Sequence, residues 1–195
     1  MCRWFGLFCP VLPPLGTENI LLTRPGAFAL SFVASTTTGF YAVKDAFGTV
    51  VIHASATETL LAYESETCYA WPCLSATDSY NTGHFTDLQA GGVQGLQGDL
   101  DLTGLSALAQ VVVSQHSITS LTVTGCIVLT QISAYNCQMG LHEINALLIQ
   151  TDNNGATNGV MSITGNVAPQ GAGLVAKANL ISKGWTVAAD SLPEV

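Results

Sequence analysis

The second half of the sequence repeats itself at a fixed interval, and this repeat limits the possible folds more than any other feature. Five positions recur one period later: Leu108, Val111, Val113, His116 and Ile118 correspond to Leu129, Ile132, Ala134, Cys137 and Met139. Both stretches follow the spacing L-x-x-L-x-L-x-x-(N/C)-x-L, with other apolar residues standing for some of the leucines. Neither a plain helix nor a plain amphipathic strand produces this spacing. One coil of this length cannot bury its own apolar face, so the sequence predicts several coils stacked on one another.

A second register with the same period runs through the intervening residues. LDLTGLSAL from Leu100 aligns with LTVTGCIVL from Leu121, which gives each coil two short strands separated by tight corners. FTDLQAGGV from Phe85 is a looser upstream copy, and MSITGN from Met161 is a downstream copy of the LTVTGC phase. We therefore expect three parallel strands in one sheet, at residues 100–102, 121–123 and 161–163.

The repeat places three polar or thiol side chains at its corners, namely His116, Cys126 and Cys137. Stacked repeats of this type put Asn or Cys at a corner, where the side chain bonds to the backbone. We therefore interpret His116 as structural, and the two cysteines as small buried residues that stay unreactive in the folded state.

The other cysteines allow two further interpretations. Cys2 with Cys9, and Cys68 with Cys73, are close enough in sequence to form disulfides in an oxidising compartment. The six cysteines contain no C-x-x-C motif and have no cluster of histidines near them. We therefore expect neither a zinc site nor any other metal or cofactor.

The segments on either side of the repeat have different patterns. In residues 26–83, short apolar or alternating runs are separated by turn residues, with DAFG between two of them, which predicts a small antiparallel β domain. Downstream, LHEINALLIQ and GLVAKANLISKG have helical spacing, and VMSITG and WTVAAD follow them as strands. We expect these two helix–strand units to cover the open edge of the stack. The sequence thus divides into an apolar, Pro-rich docking arm (1–25), a small β domain (26–83) and a repeat domain with a helix–strand C-terminal cap (84–195).

Charged residues are scarce and unevenly distributed. They make up 9% of the chain, where an average soluble protein has about 25%, and the net charge is −8. No Lys or Arg lies between Lys44 and Lys177, whereas ten acids do: Asp45, Glu58, Glu64, Glu66, Asp78, Asp87, Asp99, Asp101, Glu143 and Asp152. Nucleic-acid binding and polybasic membrane anchoring both need clustered cations, so we exclude both. No stretch reaches the roughly 20 apolar residues of a membrane-spanning helix.

The first residues, MCRWFGLFCPVLPPLG, carry four large apolar side chains within five positions: Trp4, Phe5, Leu7 and Phe8. A secretion signal and a retained apolar arm both fit one basic residue followed by an apolar run. Three prolines interrupt the run and no small-x-small cleavage site follows cleanly, which favours the arm. These side chains need a surface that buries them, either the chain's own core or a neighbouring subunit, and we expect them to dock on another chain.

The sequence contains no catalytic motif. The four histidines are scattered, and there is no Gly-x-Ser-x-Gly, P-loop or His-Glu-x-x-His sequence. Asp99 and Asp101 share one side of a strand and could act as a carboxylate pair, but a solvated strand face explains them better. DNNG at Asp152 lacks the later acidic ligands of a calcium loop. We therefore predict that the chain is not an enzyme.

Three segments resemble leucine-rich-repeat-like proteins of tailed-bacteriophage virions and bacterial surfaces: LTVTGCIVLTQISAYNCQM, EINALLIQTDNNGATNG and GVMSITGNVAPQGAGLVAKANLISKGWTV. The resemblance covers about residues 84–190. In that group a small β domain often precedes a few short coils. Together with the repeat, it implies a mainly β fold with C-terminal α/β units, in which a small antiparallel β domain precedes a short leucine-rich-repeat-like solenoid.

The resemblance implies a non-enzymatic structural or recognition component. We expect a capsid decoration or short fibre protein in a bacteriophage virion. Its partners would be other virion or shell proteins, copies of itself, and a glycan or protein of the host surface. The alternative is a secreted adhesin or binding module, located outside the cell or on a bacterial surface. The low charge, the arm and the short chain favour the virion.

Overall fold

The computed structural model describes Glu18 and residues 20–23, 30–45, 50–56, 59–61, 67–81, 83–91 and 96–192. Within these residues the chain is mainly β with two helices, as the sequence predicted. The elements in chain order are β1 (Ile20–Thr23), β2 (Leu30–Thr36), β3 (Phe40–Asp45), β4 (Val50–Ala54), β5 (Thr59–Leu61), β6 (Thr67–Ser75), β7 (Asp78–Asn81), β8 (Phe85–Gly91), β9 (Gln97–Asp101), β10 (Gln110–Val112), β11 (Ser117–Thr122), β12 (Gln131–Ser133), α1 (Leu141–Asn154), β13 (Val160–Ser162), α2 (Ala172–Ser182) and β14 (Thr186–Ala188).

An antiparallel sheet forms the N-terminal part of the described chain. Its strands run in the order β1–β6–β3–β4, and β7 pairs with β6. Antiparallel pairing of β3 with β4 confirms the strands predicted on either side of DAFG, whose residues 46–48 lie outside the described part. Residues 20–23 belong to the segment 1–25 assigned to the arm, yet they form β1, because Ile20 and Leu22 are buried in the core.

A seven-stranded sheet contains the repeat. Its order is β14–β13–β12–β10–β8–β2–β5, and the five strands from β14 to β8 are parallel. One row of paired residues crosses these strands at Leu88, Val111, Ile132, Met161 and Val187. β2 joins β8 in antiparallel orientation and β5 joins β2, so strands from residues 26–83 lie in the same sheet as the repeat.

The chain segments between the parallel strands of this sheet contain strands at first and helices later. β9 and β11 pair in parallel, with Leu100 opposite Leu121, which confirms two of the three strands expected in one sheet. The third expectation is wrong, because the segment at 161–163 contributes β13 to the seven-stranded sheet. α1 follows β12 and packs against β11, where a third strand was expected, and α2 packs against α1. The segments that connect successive parallel strands are therefore longer where they contain a helix.

One apolar core extends from Ile20 in β1 to Trp185, just before β14. None of the described helices has the length and apolar character needed to cross a membrane. The proposed pairing of Cys68 with Cys73 is excluded, because both lie in the single extended strand β6. That placement separates their Cα atoms by about 17 Å, and a disulfide needs about 7 Å or less. Cys2 and Cys9 lie outside the described residues.

Candidate functional site

His116 lies at a corner after β10, with its ring inside the protein. The backbone N–H of Leu96 donates to Nδ1 at 3.2 Å, and Nε2 lies 3.0 Å from the carbonyl oxygen of Ala90. Since the first partner only donates and the second only accepts, the ring is neutral and carries its proton on Nε2. Burial lowers the pKa of His116, and its hydrogen bond to Ala90 partly opposes that shift. The ring thus joins one coil to the preceding one.

The corners of the next two coils use the same contact with different side chains. The Cys137 thiol donates to the carbonyl of Val113 at 3.2 Å, and Asn166 Nδ2 donates to the carbonyl of Ala134 at 2.8 Å. His116, Cys137 and Asn166 therefore form one series, here called the corner ladder. Each member binds backbone that lies 24 to 32 residues earlier in the chain. Asn166 was missed, because the longer coil that contains α1 displaces it from the period set by the first two.

Cys126 makes the corresponding contact on the other side of the stack. Its thiol is buried and donates to the carbonyl of Leu102 at 3.1 Å. Burial raises the pKa of Cys126 to about 11, and burial also raises the pKa of Cys137. Both thiols are therefore protonated at neutral pH, so they are poor nucleophiles.

We expect Cys126 and Cys137 to resist alkylation in the native protein at about pH 8, because the thiolate is the reactive species and burial suppresses it. Timed alkylation followed by peptide mass mapping measures each site separately. Both sites should react readily once the chain is unfolded in denaturant. Rapid modification of both under native conditions would contradict their placement in the core.

Two amide side chains of α1 complete the edge left by β11. In the preceding coil, the N–H groups of Leu102 and Gly104 donate to backbone carbonyls of Thr122 and Thr124. The equivalent N–H groups, one period later, belong to Val123 and Gly125. They donate to Gln150 Oε1 and Asn154 Oδ1, both at 2.9 Å.

Asn154 also donates from Nδ2 to the carbonyl of Val123 at 2.7 Å. One asparagine therefore satisfies a backbone donor and a backbone acceptor of the same edge. Gln150 and Asn154 are one helical turn apart and so project from one side of the helix. Their amides take the place of the next strand, which explains how a helix can follow a strand in this stack.

The outer side of α2 is apolar. Its side toward α1 is defined by contacts to Asp152: Asn179 Nδ2 donates to Oδ2 at 2.9 Å, and Lys183 Nζ to Oδ1 at 2.6 Å. At about 100° per residue, Leu174, Ala178 and Ile181 project from the opposite side of the helix. All three are exposed, Leu174 to 50% and Ile181 to 52%.

The strand beside α2 is also uncovered. The N–H of Thr186 donates to the carbonyl of Gly159 at 2.9 Å, and the carbonyl of Ala188 accepts from the N–H of Ile163 at 2.8 Å. Thr186 and Ala188 therefore direct their backbone groups to β13. Because these directions alternate along a strand, the N–H and C=O of Val187 point away from β13. No strand in the described part of the chain pairs with β14 on that side. We call this edge, together with Leu174, Ala178 and Ile181, the open end. α1 and β13 cover the edges of β11 and β12, whereas the outer edge of β14 has no partner strand within the described residues.

At the other end of the stack, Glu18 fixes the chain where the N-terminal segment enters the fold. Its side chain is only 3% exposed, Oε2 accepts from the N–H of Phe85 at 2.7 Å, and Oε1 lies 2.9 Å from His84 Nδ1. β1, which follows it, packs against β9 in the first coil. Glu18 therefore lies at the end of the described fold opposite to α2 and β14.

The acidic residues weighed for catalysis are engaged locally. Asp99 is exposed and accepts hydrogen bonds from Ser120 and Thr119, which lower its pKa. Asp101 accepts from the N–H of Thr103 at 2.9 Å. No group of three or more His, Cys, Asp or Glu residues able to hold a metal ion occurs in the part of the chain that the structure describes.

The sequence-predicted site residues thus fall into three places. His116 and Cys137 lie on the corner ladder, and Cys126 lies on the opposite side of the stack. The predicted docking residues, Trp4, Phe5, Leu7 and Phe8, are outside the described residues. No family model, no curated protein and no solved structure matches this chain. The function must therefore be inferred from the chain's own chemistry and geometry.

Proposed function

We propose that this chain is a non-enzymatic structural component of a bacteriophage virion, either a capsid decoration protein or a short fibre protein. In this proposal the parallel stack is a short leucine-rich-repeat-like solenoid that follows a small β domain. The observation that carries the proposal is the open end, where α2 exposes Leu174 and Ile181 beside the uncovered edge of β14.

An open end of this kind suits a subunit that is covered by a partner. An exposed apolar face and an unpaired strand edge both promote association. α2 instead buries Gly173, Ala176 and Leu180 inside and presents Leu174 and Ile181 outside. A helix that is apolar on both sides is typical of a position buried on both sides.

The corner ladder supports a scaffold role. His116 has both ring nitrogens engaged by backbone groups, and Cys126 and Cys137 are held protonated by burial. Side chains with catalytic potential are thus used to join coils. Such joints give a rigid body that presents a surface, which is what a decoration or fibre protein requires.

The N-terminal arm is the proposed anchor to the shell. Residues 1–14 carry Trp4, Phe5, Leu7 and Phe8, and each large apolar side chain contributes about 1.5–3 kcal/mol on burial. Glu18 holds the chain that follows at the end of the stack opposite to α2. The arm can therefore dock on a shell protein while the stack projects outward.

Deleting residues 1–14 is expected to abolish incorporation into phage particles, because the four anchoring side chains are lost. Incorporation is measured as the ratio of this chain to the major shell protein in purified particles, with circular dichroism as the check on folding. A full-length variant with Trp4, Phe5, Leu7 and Phe8 changed to Ser separates the loss of these side chains from the loss of length. A folded deletion variant that is still incorporated at the wild-type ratio contradicts the anchor.

A second candidate function, a bacterial surface adhesin, is favoured by the outer face of the seven-stranded sheet. Gln110 and Gln131 pair across neighbouring strands there, and Ser133 pairs with Ser162. Hydrogen-bonding side chains at these paired positions suit a glycan. Localisation separates the two candidates, because an adhesin fractionates with the bacterial surface and a virion protein with particles at a fixed stoichiometry.

A further inference from the structure

We propose that the open end binds the open end of a second copy of this chain, so that a two-fold axis relates two α2–β14 units. In this dimer β14 pairs with β14 of the partner in antiparallel orientation, and α2 packs against the partner's α2. The inference rests on the proposed function as an assembly subunit and names the partner of its exposed end.

The helix provides the apolar part of the contact. Leu174, Ala178 and Ile181 repeat at intervals of four and three positions, the spacing of a helix–helix seam. Ala178 lies between the two large side chains, and a small central residue allows two helices to approach closely. Lys177 borders this stripe, and its flexible stem lets the ammonium stay in water.

β14 provides the hydrogen-bonding part of the contact. The N–H and C=O of Val187 point away from β13, as the bonds of Thr186 and Ala188 to that strand require. A two-fold axis at Val187 places it opposite Val187 of the partner subunit. Residues opposite each other in this way exchange two backbone hydrogen bonds. The same two-fold axis therefore covers the apolar side of α2 and pairs the free edge of β14.

A second copy fits better than an unrelated surface, because the partner must present a strand edge with an apolar helix beside it. Among the other outer strands in the described sheets, β1, β4, β5, β7 and β9 have no described helix packed on them, and β11 carries α1, whose Gln150 and Asn154 already bond to its edge. The α2–β14 unit has both parts, and a two-fold axis brings them together at matching spacing. Among the described acids near this end, Asp152 pairs with Lys183, and Asp190 accepts from the N–H of Gly165.

The test is the mass of the full chain in solution, measured by light scattering and sedimentation over a range of concentrations. The wild-type protein should be a dimer, and Ile181→Glu should raise the dimer Kd by about 100-fold or more, as expected for a central apolar anchor. Ile127→Glu is the matched control, because Ile127 is exposed to 57% at a corner outside the open end. Ala178→Cys should also form an intersubunit disulfide on oxidation, whereas Ile127→Cys should not.

The outcomes separate this inference from the proposed function. A wild-type monomer at high protein concentration, or equal weakening by both glutamate variants, overturns the two-fold dimer. If the chain is monomeric and Ile181→Glu blocks incorporation into particles, another protein covers the open end, and the virion function stands without the dimer. If dimerisation depends on Ile181 but the chain is absent from particles, the dimer stands and the proposed function fails. A dimer lost on deleting residues 1–14 but kept in Ile181→Glu assigns the contact to the arm and overturns the inference.

Discussion

Replacing His116 by alanine is expected to lower the free energy of unfolding by about 3–5 kcal/mol. The change removes the partners of two backbone groups, the N–H of Leu96 and the carbonyl of Ala90. Each unpaired buried group costs about 1–3 kcal/mol, and the space left by the ring adds a cavity term. Urea unfolding followed by tryptophan fluorescence measures the effect, since Trp71 and Trp185 are both buried.

His116→Asn is the informative comparison, because an asparagine already makes this contact at position 166. It should recover part of the stability lost in His116→Ala. Thr103→Ala is a control on the exposed surface, where substitutions change stability by about 0.5 kcal/mol or less. An alanine variant at 116 as stable as this control would contradict the ladder.

The same residue has a pH signature. Since burial lowers the pKa of His116 in the folded state, the unfolded chain binds more protons as the pH falls below about 6.5. The stability of the wild-type protein should therefore fall with decreasing pH, from about 6.5 down to the folded-state pKa. The contribution of His116 has a slope of up to about 1.4 kcal/mol per pH unit. His116→Asn should lose this contribution, and equal slopes in the two proteins would contradict a buried neutral ring.

Replacing Asn154 by alanine is expected to lower the free energy of unfolding by about 1–3 kcal/mol. The change leaves the N–H of Gly125 without the amide oxygen that accepts from it, whereas the carbonyl of Val123 still accepts from the N–H of Cys126 at 3.1 Å. One partly buried backbone donor without a partner accounts for a loss of that size. Chemical denaturation of the two proteins side by side measures it.

Asn153→Ala is a matched control for Asn154→Ala. It removes the same side chain from the neighbouring, exposed position of α1 and should change stability by about 0.5 kcal/mol or less. Asn154→Asp is a sharper variant, since its carboxylate can still accept from Gly125 but no longer donates to Val123. It should be destabilised as well, and equal effects at 153 and 154 would show that the edge does not depend on the amide.

The parts of the fold that sequence reasoning predicted are those encoded by local period. Leu100 and Leu121 lie one period apart and pair in parallel, and His116 and Cys137 lie on one ladder as their spacing indicated. The downstream strand at Met161 was assigned to the wrong sheet. Its sequence matches both phases of the repeat, and the insertion of α1 hides which one applies.

The parts that sequence reasoning missed depend on contacts between distant residues. Pairing of Val33 in β2 with Gln89 in β8 joins remote parts of the sequence and leaves no period to detect. Glu18 is a single acid before a short strand, and nothing in its neighbours signals its bond to Phe85. Gln150 and Asn154 are marked only by their spacing of one turn at the end of an apolar helix. This spacing predicts bonds to backbone groups only when the edge of β11 is known to lie beside the two residues.

The corner ladder also has a consequence for how the chain folds. Its contacts close loops of 26, 24 and 32 residues, and each one joins a new coil to the coil before it. Loops of this length close quickly, and repeat stacks propagate from whichever unit has formed. The ribosome synthesises the repeats in the same order, so each repeat packs on one that precedes it in the chain. The slow step is then the earlier antiparallel pairing of β2 with β8, which must bring together residues farther apart in sequence than those joined by any of these contacts.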